Sequence, residues 1–414
     1  MKRFLIFLIL FFIPLSAQAE NEFLTEELLN TKQEGEITLI NNENSELAEK
    51  DNTEETPDDI SNDLDIFSNI SDDNNKYPEE TFMGKILKTQ ITRTDIPSFL
   101  LKDELTLNVN KGHIKEIEFF GAHRGAISSI FRSHHYTTEY DDLTTEFGFF
   151  GKSVNDKIDF KLSLLPIVKS GNYIDNMWGD LYIVDNHIKN HKIMLGRSRG
   201  QVGIEGGMST YTLPFVHRSQ IARNFGNLRT TALKVVGNYE YFDYSLSFGS
   251  SGRHFTDGFP GADFIGWINI KPFGSKDGKL GRLTIGGGLN SGHNRFNYNV
   301  GTVYIGYKHK RLWTNFEASI ADGYNGGAAL SSKKAGGFAY TLGWKIKPYL
   351  QLIGRVDNFD PDRHTSHNLK TEYSAGINWF IKGQALKLVL NYVYCKNQNS
   401  KDSQKIILST QIVL

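Results

Sequence analysis

Very little in this chain can cross-link, coordinate a metal or cleave a bond. Its 414 residues hold one cysteine, Cys395. An intramolecular disulfide and a cysteine-based metal centre are therefore both excluded. The G-x-S-x-G, H-E-x-x-H and P-loop patterns are missing, and with them the common signatures of serine hydrolases, metalloproteases and nucleotide enzymes. Long apolar runs are also lacking. The longest is Phe4–Leu15, 12 residues, too short to cross a bilayer as a helix. Behind Lys2 and Arg3 and before Ala17-Gln18-Ala19, that run reads as a signal peptide over 1–19, cleaved before Glu20, so the mature chain is exported.

Positive charge is nearly absent from the next stretch. Residues 20–80 carry 20 Asp/Glu and 3 Lys, a net of −17. Few aromatics accompany them, so the segment is expected to be acidic, disordered and periplasmic, unable to bury enough surface to offset its ordering entropy. Residues 81–414 hold 41 Lys/Arg against 27 Asp/Glu, a net of +14. An acidic tail thus precedes a basic body. Residues 81–112 form a lead-in without a clear assignment. A hairpin around Asn110-Lys111-Gly112 would add a strand there.

From about residue 113 the chain falls into tracts of alternating apolar and polar residues. In "TEYSAGINWFI", Tyr373, Ala375, Ile377, Trp379 and Ile381 oppose Glu372, Ser374, Gly376 and Asn378. "GGFAYTLGWKIK", "ALKLVLNYVYCK" and "DKIDFKLSLL" repeat the pattern. Alternate side chains point to opposite faces of a strand, so each tract has one apolar and one polar face. The tracts run nine to thirteen residues, longer than ordinary soluble strands and long enough for tilted strands to span an outer membrane. Sixteen of them fit between 113 and 414, with eighteen as the alternative. Their connections alternate short and long, the first long one expected at 122–141 and the sixth at 322–334, the pattern of periplasmic turns and external loops. Trp344 and Trp379 near short turns, and Tyr392 and Tyr394 near a long loop, are placed as two interfacial girdles. The fold expected is an all-β transmembrane antiparallel β-barrel. Its last strand is "KIILSTQIVL", ending on Leu414 where such barrels commonly end on an aromatic.

The last third resembles the phosphate-selective porin family, of the O and P type. The resemblance rests on "LIGRVDNFDPDR", "TEYSAGINWFIKGQALKLVLNYVY" and "DSQKIILSTQIVL", in that order, and on "HKIMLGRSRGQVGIEGG" before the third long loop. It implies a sixteen-stranded, homotrimeric outer-membrane porin passing small anions such as phosphate, with outer-membrane lipid around it. The acidic tail has no counterpart in that pattern, and its periplasmic partner is unknown.

The third long connection, 199–227, is a candidate constriction folded into the lumen. It and its flanks carry Arg197, Arg199, Arg218, Arg223 and Arg229. Guanidinium groups present fixed donors to phosphate and carboxylate oxygens, and cationic rings in a narrow pore favour anions. The alternative is a surface loop whose arginines are solvated or bound to lipopolysaccharide. Inward parity supplies Lys157, Lys161, Arg282, Lys345, Lys347, Arg355 and Lys387 as lumen-facing cations. A charge turned to lipid would cost about 2–4 kcal/mol at midplane. Asp159, Glu317 and Glu372 share that side.

"GGGLNSG" (286–292) lies in a strand and its exit, away from any helix. "HTSH" (364–367) and "SHHY" (133–136) sit in expected external loops. No catalytic residue, metal, cofactor or nucleic-acid partner is expected. The Asp-rich stretch 357–362 reads as a strand leaving the membrane and a proline turn, with a weak surface calcium site as the alternative. Two other classes stay open beside the porin: a structural barrel anchoring the envelope, and a barrel enzyme acting on lipid.

Overall fold

The computed structural model describes residues 100–101, 104–133, 135–167, 176–275, 279–327 and 329–414. The signal peptide and acidic-segment assignments lie outside them.

Sixteen strands close into an antiparallel barrel. They are β2 (Ile114–Arg132), β3 (His135–Ser153), β4 (Ile158–Leu164), β5 (Trp178–Asp185), β6 (His191–Arg199), β7 (Arg229–Asn238), β8 (Phe242–Ser250) and β9 (Ala262–Ile270). Then follow β10 (Arg282–His293), β11 (Asn297–His309), β12 (Leu312–Asn325), β13 (Leu330–Lys347), β14 (Leu350–Asp360), β15 (Lys370–Lys382), β16 (Leu386–Asn397) and β17 (Ser403–Val413). Each pairs with its chain neighbour, and β17 closes on β2 from Gln404↔Phe131 to Val413↔Ala122. Closure leaves no free edge, which the bilayer core demands. A further strand, β1 (Thr106–Lys111), forms the hairpin anticipated around Asn110-Lys111-Gly112. It pairs with the start of β2, the edge that β17 leaves free below Ala122. Asn110 and Gly112 take φ of 45° and 64° to make its turn. The barrel itself closes at sixteen, not eighteen.

The first long connection differs from expectation. Residues 122–141 are expected as a loop, but β2 and β3 run 19 residues each and meet at a tight turn. The polar density of "RSHHYTTEYDD" hides strands that rise beyond the membrane, where neither face needs to be apolar. The sixth connection shortens for the same reason, because β12 reaches Asn325 and β13 begins at Leu330.

Alternation decides the two faces. In β15, Tyr373, Ile377, Trp379 and Ile381 are exposed while Ser374, Asn378 and Phe380 are buried. In β16, Leu390 and Tyr392 point outward and Lys387, Val389, Asn391 and Val393 inward. Facing lipid, the outward residues fulfil the requirement that a soluble surface would violate. Trp344 and Trp379 stand about half-exposed near the short turns. Tyr392 is exposed near a long loop, where Tyr373 and Tyr394 stack with ring centroids 6.3 Å apart.

Candidate functional site

The third long connection leaves β6 and crosses the lumen before returning to β7. It carries two short helical turns, α1 (Ile204–Gly207) and α2 (Gln220–Asn224), with a 3-10 turn at Thr210–Thr212 between them. The helical turns cross where Gly206 meets Gly226. A Cβ on Gly226 would lie 2.5 Å from the Gly206 Cα, so neither position accommodates a side chain without moving the other.

Apolar residues of the loop dock on inward apolar residues of the wall. Val202, Ile221, Phe225 and Leu228 pack with Ile265, Val300, Ala321, Tyr324, Ala335, Ala339 and Phe359. Ile204, Met208 and Leu213 meet Val236, Trp267 and Tyr304. Val216 packs with Ala126, Val389, Val393 and Ile407. Phe215 packs with Trp313 and Ile353. Burying apolar side chains contributes roughly 1.5–3 kcal/mol each, so the loop is held as part of the core.

Polar groups fix the register of that docking. Arg355 on β14 is 4% exposed. Its Nη1 donates to the Glu205 carboxylate at 3.2 Å and to the His217 carbonyl at 3.1 Å. Its Nε lies 2.9 Å from Asp357 Oδ2, and its guanidinium sits 4.5 Å from the Phe215 ring centroid. Glu205 also accepts from the Ser219 backbone N–H at 2.5 Å. The Gln220 N–H donates to Asp357 Oδ1 at 3.1 Å. On the far wall, Lys387 Nζ donates to the carbonyls of Tyr211 and Leu213 at 3.0 and 3.3 Å. Arg124 Nη2 donates to the Phe215 carbonyl at 3.0 Å, and its Nη1 donates to that of Thr210. Glu317 Oε2 accepts from the backbone N–H of Ile204 at 3.0 Å.

Two of the loop's arginines are engaged in the same way. Arg218 donates from Nε to the Glu205 carbonyl at 2.9 Å and from Nη2 to that of Met208 at 2.5 Å. Arg223 pairs with Glu372 at 2.7 Å. His217 is pushed down to about 3, first by burial and then by Arg223, Lys405 and Arg124, with Glu372 opposing. It is neutral at physiological pH.

The flanking arginines occupy the opposite wall. Arg199 and Arg229 are direct cross-strand partners on β6 and β7. Such a like-charge pair is unfavourable unless a counter-charge lies between or beside it. Asp180 on β5 supplies one: its Oδ1 accepts from Arg229 Nε at 2.8 Å, and its Oδ2 from Lys161 Nζ at 2.8 Å. Lys161 also reaches Glu146 at 3.2 Å and lies 5.2 Å from the ring centroids of Phe120 and Phe150. Arg199 Nη1 donates to Asn227 Oδ1 at 2.8 Å, and Lys234 Nζ to the Arg199 carbonyl at 3.2 Å. Gly196, at φ 130°, breaks the alternation, so Arg197 and Ser198 are both buried. Arg197 Nη2 donates to the Arg253 carbonyl at 2.7 Å, while its Nε and Nη1 have no hydrogen-bond partner within the protein.

The remaining inward cations divide. Arg282 and Lys345 are buried, as are Arg355 and Lys387. Lys157 is exposed in the turn before β4. Lys347 is exposed as well, because a bulge after Lys345 pairs it with Leu350 and takes it out of the inward phase. Among the described residues no group of three or more His, Cys, Asp or Glu could hold a metal ion. Glu205, Arg124, Asp180 and Lys234 were not singled out from the sequence. Arg124 fell in the stretch read as loop, though Ala122, Arg124, Ala126 and Ser128 continue the inward parity of Phe120.

Residues 283–414, from β10 through β17, match the family model of phosphate-selective porin O and P. Curated protein sequences give no match. Among solved structures, the fold is similar to a loop L8 deletion mutant of OmpT, an outer membrane protein of Vibrio cholerae. That likeness has TM-score 0.54 at 10% identity and covers 72% of this chain and 99% of the other. The anion-selective porin from Comamonas acidovorans gives 0.52 at 9% identity, over 72% and 99%. The outer membrane channel DcaP of Acinetobacter baumannii gives 0.51 at 14%, over 74% and 99%. At these identities the structural likeness speaks for the fold.

Proposed function

We propose that this chain, whose last eight strands match the family model of phosphate-selective porin O and P, conducts small anions passively across the outer membrane. The path runs between the lumenal loop and the wall of β3–β7. The observation that carries this reading is the distribution of charge around the loop. Arg218, Arg355 and Lys387 are spent on fixing the loop in place, and Arg223 is paired with Glu372. On the wall across from it, Lys161, Arg197, Arg199, Arg229 and Lys234 face only Glu146 and Asp180 among the contacts described above. Five cations against two carboxylates favour anions in a water-filled lumen. Arg197, buried with two donors unclaimed by protein, adds its charge to that wall.

No covalent step is required. Fixed donors replace part of an ion's hydration shell, and several weak positions in series let it leave again. The periplasmic placement of the acidic tail and a homotrimeric assembly in outer-membrane lipid belong to the same reading.

Purified protein in planar bilayers tests it. Stepwise conductance with an anion-favouring reversal potential in a salt gradient is expected. A folded barrel without conductance would return the choice to an anchoring barrel or a lipid-acting enzyme.

A further inference from the structure

Among the described residues, the short-turn rim of the barrel is strongly basic on one side only. Lys279 precedes β10, Lys310 and Arg311 join β11 to β12, Lys347 ends β13 and Lys382 ends β15; all five are exposed. Just inside them stand Arg282, Lys308, Lys345 and Lys387, all buried on the inward face. Arg282 and Lys308 are direct cross-strand partners, so positive charge is concentrated there rather than spread. The other half of the rim is mixed. Lys115 pairs with Asp156 at 3.1 Å, Lys152 with Glu116 at 2.8 Å and His187 with Asp185 at 2.7 Å.

The chain enters the barrel on this same side. The Leu100 N–H donates to the Val413 carbonyl at 3.1 Å, and the Val413 N–H to that of Ala385, in the turn between β15 and β16, at 2.8 Å. Upstream of that entry lies an acidic stretch. Residues 58–80 hold eight Asp/Glu (Asp58, Asp59, Asp63, Asp65, Asp72, Asp73, Glu79 and Glu80) and one Lys, a net of −7. The residues between 80 and 100 reach at most about 66–72 Å when extended, which brings the stretch to any of the four turns.

We propose that the acidic stretch 58–80 docks on the basic rim made by the short turns of β9–β16, and there competes with solute anions for the mouth of the barrel. The complementarity is strongest on that half of the rim, because on the other half basic and acidic groups pair with one another. The stretch is a tethered polyanion beside a cationic mouth, so its local concentration favours it over free anions. Contacts of this kind are exposed and salt-sensitive, since the Debye length falls from about 10 Å at 0.1 M to about 3 Å at 1 M.

Zero-length carbodiimide coupling of the full-length protein, with the links mapped by mass spectrometry, reads the contact without relying on conduction. Mixing isotope-labelled and unlabelled protein separates links within one chain from links between copies. Intrachain links from Asp/Glu of 58–80 to Lys279, Lys310, Lys347 and Lys382 are expected, falling about tenfold in yield from 0.05 to 1 M salt as screening sets in. Absence of links at low salt, links to Lys157 or Lys189 instead, or links running between copies would each overturn the docking. Converting the eight carboxylates to amides should shift the reversal potential further toward anions. If the links are present and that shift is absent, the competition is refuted.

Discussion

Asp180 and Arg229 give opposite-signed perturbations of one place in the wall. Asp180→Asn removes the carboxylate shared by Arg229 and Lys161, each 2.8 Å away, and makes the cluster more positive by one charge. Arg229→Gln makes it more negative by one. An ion passing about 6 Å away exchanges about 0.7 kcal/mol with a unit charge at the dielectric constant of water. Screening at 0.1 M salt leaves about half of that, since the Debye length is about 10 Å. Anion and cation respond with opposite signs, so each variant moves the permeability ratio by about 0.8 kcal/mol, or about fourfold. Asp180→Asn should raise anion preference, Arg229→Gln should lower it, and the two should differ by about fifteenfold in permeability ratio. Reversal potentials in a tenfold salt gradient measure the ratio directly, and repeating them at about 1 M mean salt should nearly abolish the difference. Two conducting variants with the wild-type reversal potential would refute the reasoning, because the path would then lie away from the β4–β7 cluster.

Other consequences follow from the way the loop is held. Arg355→Met leaves Glu205 and Asp357 buried without their cation, a loss on the order of 3–5 kcal/mol. The loop should then detach, seen as larger, noisier conductance from a barrel that still resists denaturation in gel electrophoresis. Gly226→Ala places a Cβ 2.5 Å from the Gly206 Cα, so the helical turns must separate, and changed conductance with an unchanged barrel melting transition is expected. His217 titrates near 3 in the folded protein and near 6.5 when unfolded. Between those values the unfolded chain binds the extra proton, so stability should fall as pH drops from about 6.5 toward 3. His217→Gln should flatten that slope in urea-unfolding midpoints. Leu390→Lys turns a charge to lipid on β16, where it costs about 2–4 kcal/mol near midplane, and should lower the folded fraction recovered from refolding.

The barrel was legible because a two-residue period over ten residues has one reading once the strands are too many and too long for a sandwich. Arg355 and Lys387 could be placed inward from parity alone, and both are inward. Their partners could not be read in advance. Glu205 and His217 lie 150 and 138 positions away from Arg355. Nothing local marks such a pairing. Lys347 misled for a different reason, because a bulge changes the face without changing the letters. The long β2–β3 hairpin escaped because alternation stops being informative where both faces meet water.

One signal for the loop's position does lie in the strands. Val389 and Val393 sit on the polar parity of β16, and Ile353 and Phe359 on that of β14, where a water-filled lumen has no use for them. All four are buried against the loop or its cluster. The inward apolar residues of β9–β17, joined by Ala126 of β2 and Val236 of β7, therefore form the bed on which residues 200–228 lie. The inward charges of β3–β7 are those the bed leaves out. Apolar exceptions on a polar face and an excess of cations on the facing wall are two halves of one requirement. A loop that must narrow a channel needs a dry side to hold it and a wet side to conduct. In this chain the arginines within the loop, Arg218 and Arg223, brace it and tie it to the wall, and those that flank it line the path proposed for anions.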